Sequence, residues 1–143
     1  LLLPVLLLLG AIYYKKQGQK QAATDPAQSK MQAAQKVAER HLEQAASYQQ
    51  EAKSHDFYDE ISKAMMGYVS DKLQIEKSKM NKSNLQQRLE SLQIPNPQIL
   101  KFMEILRNCE MALYAGKANT QAMQTTYNNA REVLATIENQ LAD

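Results

Sequence analysis

Apolar residues recur along most of this chain at steps of three and four, the signature of helices with one side turned to a core. The clearest case is Phe57 to Leu73, where Phe57, Ile61, Ala64, Met65, Tyr68, Val69 and Leu73 fall on one stripe and Asp59, Glu60, Lys63, Asp71 and Lys72 lie mostly between its steps. This stretch is the expected central helix, with Phe57, Ile61, Met65, Tyr68 and Val69 as its core. Its rim of Tyr58, Asp59, Lys63 and Met66 is the candidate contact surface, since a tyrosine offers an apolar body with a polar tip.

Before it, Asp25-Pro26 forms a helix start, with a capping carboxylate followed by proline at the first helical position. The Ala- and Gln-rich segment that follows, to about Lys53, has an inward stripe of Met31, Ala34, Ala38, Leu42 and Ala45. These small residues bury little area, so the helix is expected to pack on the central one as an antiparallel hairpin, turning at Ser54, His55 and Asp56. After Leu73 a polar segment is pinned by Ile75 and Met80. A short helix then runs from about Ser83 to Leu92, with Ser83 and Gln86 at capping-box spacing and Leu85, Leu89 and Leu92 as its seam.

Asn96-Pro97 restarts a helix that runs to about Tyr114, with Ile99, Phe102, Met103, Leu106, Glu110 and Leu113 near one face, and it breaks at Ala115-Gly116-Lys117. The last helix, about Thr120 to Leu141, carries Met123, Tyr127, Ala130, Leu134, Ile137 and Leu141 at heptad-like spacing, too short a run for a coiled coil and so a bundle seam. The fold class is therefore all-α: an antiparallel bundle of about five helices, made of a long hairpin, one short helix and two further ones. Sparse β-branched residues argue against a sheet.

The uncharged run Leu1 to Tyr14, followed by Lys15, Lys16 and Lys20, changes the picture. It falls short of the ~20 residues that a ~30 Å hydrocarbon core requires and is expected to be the end of a longer span, with Tyr13 and Tyr14 as an interfacial belt and the lysines as a cytoplasmic flank. A signal peptide fits less well, because no basic region precedes the run and Ile-Tyr-Tyr follows where small residues belong. The expected layout is a transmembrane end at 1–14, a basic and polar linker at 15–27, and a cytoplasmic helical domain at 28–142.

Composition offers little chemistry. With 17 basic and 15 acidic residues the chain has no nucleic-acid footprint. His41 and His55 lack metal-ligand spacing, and Gly10, Gly18, Gly67 and Gly116 are isolated rather than a phosphate loop. Glu104 and Glu110 are carboxylates of the kind any bundle offers. No catalytic, cofactor or metal residue is singled out. Cys109, the one cysteine, lies among Leu106, Met111 and Leu113, where a buried inert sulfur is the commoner outcome; a thiol redox sensor is the alternative. Of the seven methionines, Met66, Met80 and Met111 are the better candidates for surface contact.

In order and spacing, FYDEISKAMMGYVSDKLQI, NLQQRLESLQIP and CEMALYA, placed after a membrane run and a polar helix, resemble the C-terminal region of the BatD family of aerotolerance (oxygen-tolerance) proteins. Met66 departs from the bulky residue, such as Trp, expected there in relatives. The resemblance implies a single-pass protein of the bacterial inner membrane, with this region facing the cytoplasm. It also implies immunoglobulin-like periplasmic domains outside this sequence and no enzymatic activity. The implied partners are von Willebrand A type membrane proteins, a tetratricopeptide-repeat protein and a MoxR-type AAA+ ATPase. The expected function is that of a non-enzymatic scaffold, with a purely structural spacer as a further alternative.

Overall fold

A computed structural model describes residues 26–115 and 119–142. The expected membrane end, nearly all of the linker and the break at 115–117 beyond Ala115 lie outside these residues. Five helices follow in order: α1 (Pro26–Gln50), α2 (Ser54–Leu73), α3 (Lys82–Ser91), α4 (Asn96–Ala115) and α5 (Thr120–Ala142), with a 3-10 turn at Lys77–Lys79 between α2 and α3. No strand occurs among the described residues, and the domain is an all-α bundle.

The first two helices form the most extensive pairing, and alanine is the reason. Ala34, Ala38 and Ala45 are buried along α1 with Leu42 as the one large side chain, so the two backbones come close together. The turn between them lies earlier than the expected Ser54–Asp56, which instead form the first turn of α2. Ala52 takes a left-handed φ of 58°, its N–H donates to the Gln49 carbonyl at 3.1 Å, and the Lys53 N–H donates to the Tyr48 carbonyl at 2.9 Å. This paired closure is a Schellman ending, and a local hydrogen-bond pattern of this kind carries no side-chain signature when alanine occupies the left-handed position. The Lys53 ammonium lies 6.0 Å from the Tyr48 ring centre, adding a contact across the turn.

Gln74 and Gln93 repeat the device at the ends of α2 and α3, with φ of 55° and 61°. After α3 the Ile94 N–H donates to the Leu89 carbonyl at 3.2 Å, and both side chains are buried, which supplies the hydrophobic contact that accompanies the motif. The cap of α3 is Asn81 rather than Ser83: its side chain accepts the Asn84 N–H at 2.8 Å. Asn96 is likewise the first residue of α4 rather than its cap, with the Pro95 carbonyl accepting from Gln98 and Ile99.

Helix α2 is the hub, packed against α1, α4 and α5. Phe57, Ile61, Met65, Tyr68 and Val69 are all buried, and the core closes over them with Phe102, Ile105 and Cys109 from α4 and Met123, Ala130, Val133 and Ile137 from α5. Two inward faces differ from the expected ones. On α4, Ile105 points in beside Cys109, whose burial is as expected, while Glu110 is exposed and pairs with Lys82 at 2.8 Å. On α5 the buried set is Met123, Thr126, Ala130, Val133, Leu134 and Ile137, so Tyr127 and Leu141 are displaced to the half-buried edge. The rotation follows from α5 packing on α1, α2 and α4 together rather than on one neighbour.

Candidate docking groove on the central helix

The four rim positions of α2 separate in the fold. Tyr58 is 2 % exposed and belongs to the core, with its ring edge-on to Phe57 at 5.0 Å and 83°. Its hydroxyl lies beside the buried Thr126, and burial pushes its ionisation upward. The expected rim role for Tyr58 is thereby corrected: with helices on several sides, the buried arc of α2 is wider than one stripe.

Asp59, Lys63 and Met66 do face outward, and Asp59 and Lys63 belong to a chain of charges. Lys63 Nζ lies 3.0 Å from Asp59 and 3.8 Å from Glu60, and the other Glu60 oxygen lies 2.7 Å from His41 Nδ1 on α1. The hydrogen bond to Asp59 is the main cause of the raised Lys63 ionisation. The pairs within α2 follow helical i,i+3 and i,i+4 spacing and are readable in the sequence, whereas the His41–Glu60 link depends on how two helices dock.

Beside this chain runs a groove. A depression of about 550 Å³ is lined by Val37 and His41 of α1, by Ser62, Lys63, Met66, Gly67 and Asp71 of α2, and by Met80. It shares Ser62, Met66 and Met80 with a second hollow of about 330 Å³, continued by Asn81, Lys82, Leu85, Leu106 and Glu110. Met66 and Met80 are half-buried here, and methionine adapts its shape to whatever packs against it. Gly67 has nothing within 4 Å of where a Cβ would stand. A glycine inside a helix costs ~1 kcal/mol relative to alanine, and no neighbour in the described structure requires it.

A further cleft of about 390 Å³ separates α1 from α5. Tyr68 reaches its floor, donating its hydroxyl proton to Glu138, which also lies 3.1 Å from Lys72. Burial first, and then the hydrogen bond to Glu138, push the Tyr68 hydroxyl's ionisation upward. Arg131 and Tyr127 line the cleft, the guanidinium 5.8 Å from the ring centre. This network joins α2 to α5.

Cys109 is 1 % exposed, and burial, with the Glu110 charge as a lesser cause, pushes its thiol up to about 12. Both conditions for a reactive thiol, access and a lowered pKa, are unmet. Among the described residues no group of three or more His, Cys, Asp or Glu side chains is placed to hold a metal ion.

Fold and groove together define an all-α helical bundle with a partly apolar, partly charged channel along its central helix. Compared with protein-family models, curated proteins and solved structures, the chain matches none. The resemblance to BatD-like aerotolerance proteins therefore rests on the sequence phrases themselves. Among the described residues no helix is long and apolar enough to cross a membrane; the Leu1–Tyr14 run lies outside them.

Proposed function

We propose that this chain is a non-enzymatic, membrane-anchored docking subunit of a Bat-type aerotolerance assembly at the bacterial inner membrane. Its helical domain faces the cytoplasm and receives protein partners: von Willebrand A type membrane proteins, a tetratricopeptide-repeat protein and a MoxR-type ATPase. The resemblance supplies the assembly. The observation that carries the docking role is the groove at Met66, Gly67 and Met80, where a helix pays the cost of an interior glycine for which no neighbour among the described residues gives a steric need.

Two substitutions test it. Gly67→Ala is expected to raise the melting temperature, because it adds helix propensity in open space. Gly67→Leu is expected to leave the domain folded while filling the groove, so that crosslinks from Lys63 and Lys72 to the ATPase or a von Willebrand A protein in native membranes disappear. A folded Gly67→Leu protein that keeps those crosslinks would show that the groove is not the docking site. Wild-type membranes that contain the partners yet give only internal links would favour the spacer. The thiol-sensor alternative loses ground to the burial of Cys109, and an unchanged oxygen tolerance in Cys109→Ser would remove it.

A further inference from the structure

The outer face of α4 carries a second seam that no other element among the described residues covers. Leu100, Met111 and Tyr114 are exposed by 57 %, 56 % and 93 %, and they are the large apolar side chains that stand most open among the described residues. All three fall on one line of this single helix. Together with Pro97, Glu104 and Arg107 they follow steps of three and four, the spacing of a helix-pairing seam, and all six are exposed. Glu104 and Arg107 occupy the middle of the line, and among the described residues neither has an ion-pair partner within the chain. Intramolecular pairs flank the line instead, Lys101 with Glu132 on the α5 side and Lys82 with Glu110 on the α3 side.

The order of these residues is symmetric. Leu100 and Met111 lie equally far from the midpoint between Ile105 and Leu106, as do Glu104 and Arg107, and as do Pro97 and Tyr114. Two copies of α4 laid antiparallel across that midpoint set Leu100 against Met111, Glu104 against Arg107 and Pro97 against Tyr114, each contact occurring twice. Steps of three and four are symmetric about their middle on any helix; what is particular here is that the central mirrored pair carries opposite charges and the pair flanking it is apolar, the self-complementarity that an isologous two-fold interface requires. We infer that the outer face of α4 is a homodimer interface in which a second copy of this chain docks antiparallel about the Ile105–Leu106 midpoint.

The seam spans roughly 25 Å, at ~1.5 Å per residue. One helix face of that length falls short of the ~800 Å² per partner of a standard interface, so the association is expected to be weak and concentration-dependent. The inference does not depend on the docking role of the α2 groove, which occupies a different face.

Sedimentation equilibrium of the full 143-residue chain in density-matched detergent micelles, over a wide range of concentration, tests it. The wild type is expected to dimerise reversibly. Glu104→Arg places like charges opposite each other, as does Arg107→Glu, and each is expected to weaken the dimer at least about tenfold. Combining the two exchanges the signs on both copies and is expected to restore the dimer to within about threefold of wild type. Circular dichroism melts of these surface variants check that each is folded. A monomer at every concentration, a dimer indifferent to the single reversals, or a double exchange that fails to restore it would each overturn the two-fold arrangement.

Discussion

Tyr68 shows how one side chain ties the molecule together. It fills the core with its ring and ends in a hydroxyl that donates to Glu138 of α5, whose second oxygen is held by Lys72 of α2 at 3.1 Å. Tyr68→Phe keeps the ring and removes the donor, and is expected to cost ~1–2 kcal/mol in urea denaturation at pH 7. Alkaline pH tests the same interior. Cys109 ionises near 9.0 when free and near 12 in the fold, and Tyr58 and Tyr68 are raised too, so above pH ~9 the unfolded chain has lost protons that the native state retains. Stability is therefore full at neutral pH and falls as pH rises through that window. Urea titrations at pH 7 and pH 10.5 are expected to show the loss, and Cys109→Ala to make it shallower; a flat profile would contradict the burial of these groups.

Among the elements, the helix ends carry the sharpest expectations. Ala52, Gln74 and Gln93 each hold a left-handed conformation that glycine adopts without strain. The Cβ penalty of ~1–2 kcal/mol is partly offset by the greater freedom of unfolded glycine, so Gln93→Gly is expected to stabilise by roughly 0.5 to 1 kcal/mol in a thermal melt. At the start of α3, Asn81→Ala is expected to cost ~1 kcal/mol and Ser83→Ala almost nothing, the reverse of what the Ser83–Gln86 spacing implies. The spacing was legible, but a shift of two residues in the cap position, from Ser83 to Asn81, decides which side chain closes the helix. On α2 the sequence identified the inward stripe correctly and misplaced Tyr58, because periodicity marks the centre of a buried arc and says nothing of its width. Thr126 and Val133 of α5 were missed for the same reason, a contact made with several neighbours at once.

At the scale of the whole molecule, α2 is the part whose loss the domain cannot survive. Ile61 and Met65 are fully buried where α1, α4 and α5 converge. Ile61→Asp forfeits ~1.5–3 kcal/mol of burial and adds the desolvation of a carboxylate, a sum comparable to the 5–15 kcal/mol that holds typical domains together. Loss of the cooperative melting transition is the expected result, and an unmoved melting curve would contradict the position of α2 at the hub. Local physics was enough to determine the helical content, the central stripe and the break at Ile94-Pro95, since spacing, alanine propensity and proline act within a few residues, whereas the turn after Gln50 left no side-chain signature. Only tertiary structure decided that Tyr58 is core, that His41 meets Glu60, that Met66 and Met80 line one groove with Gly67, and that a symmetric seam on α4 stays uncovered. Each of these depends on which helix lies beside which and at what rotation, and those are set by side chains far apart in the chain.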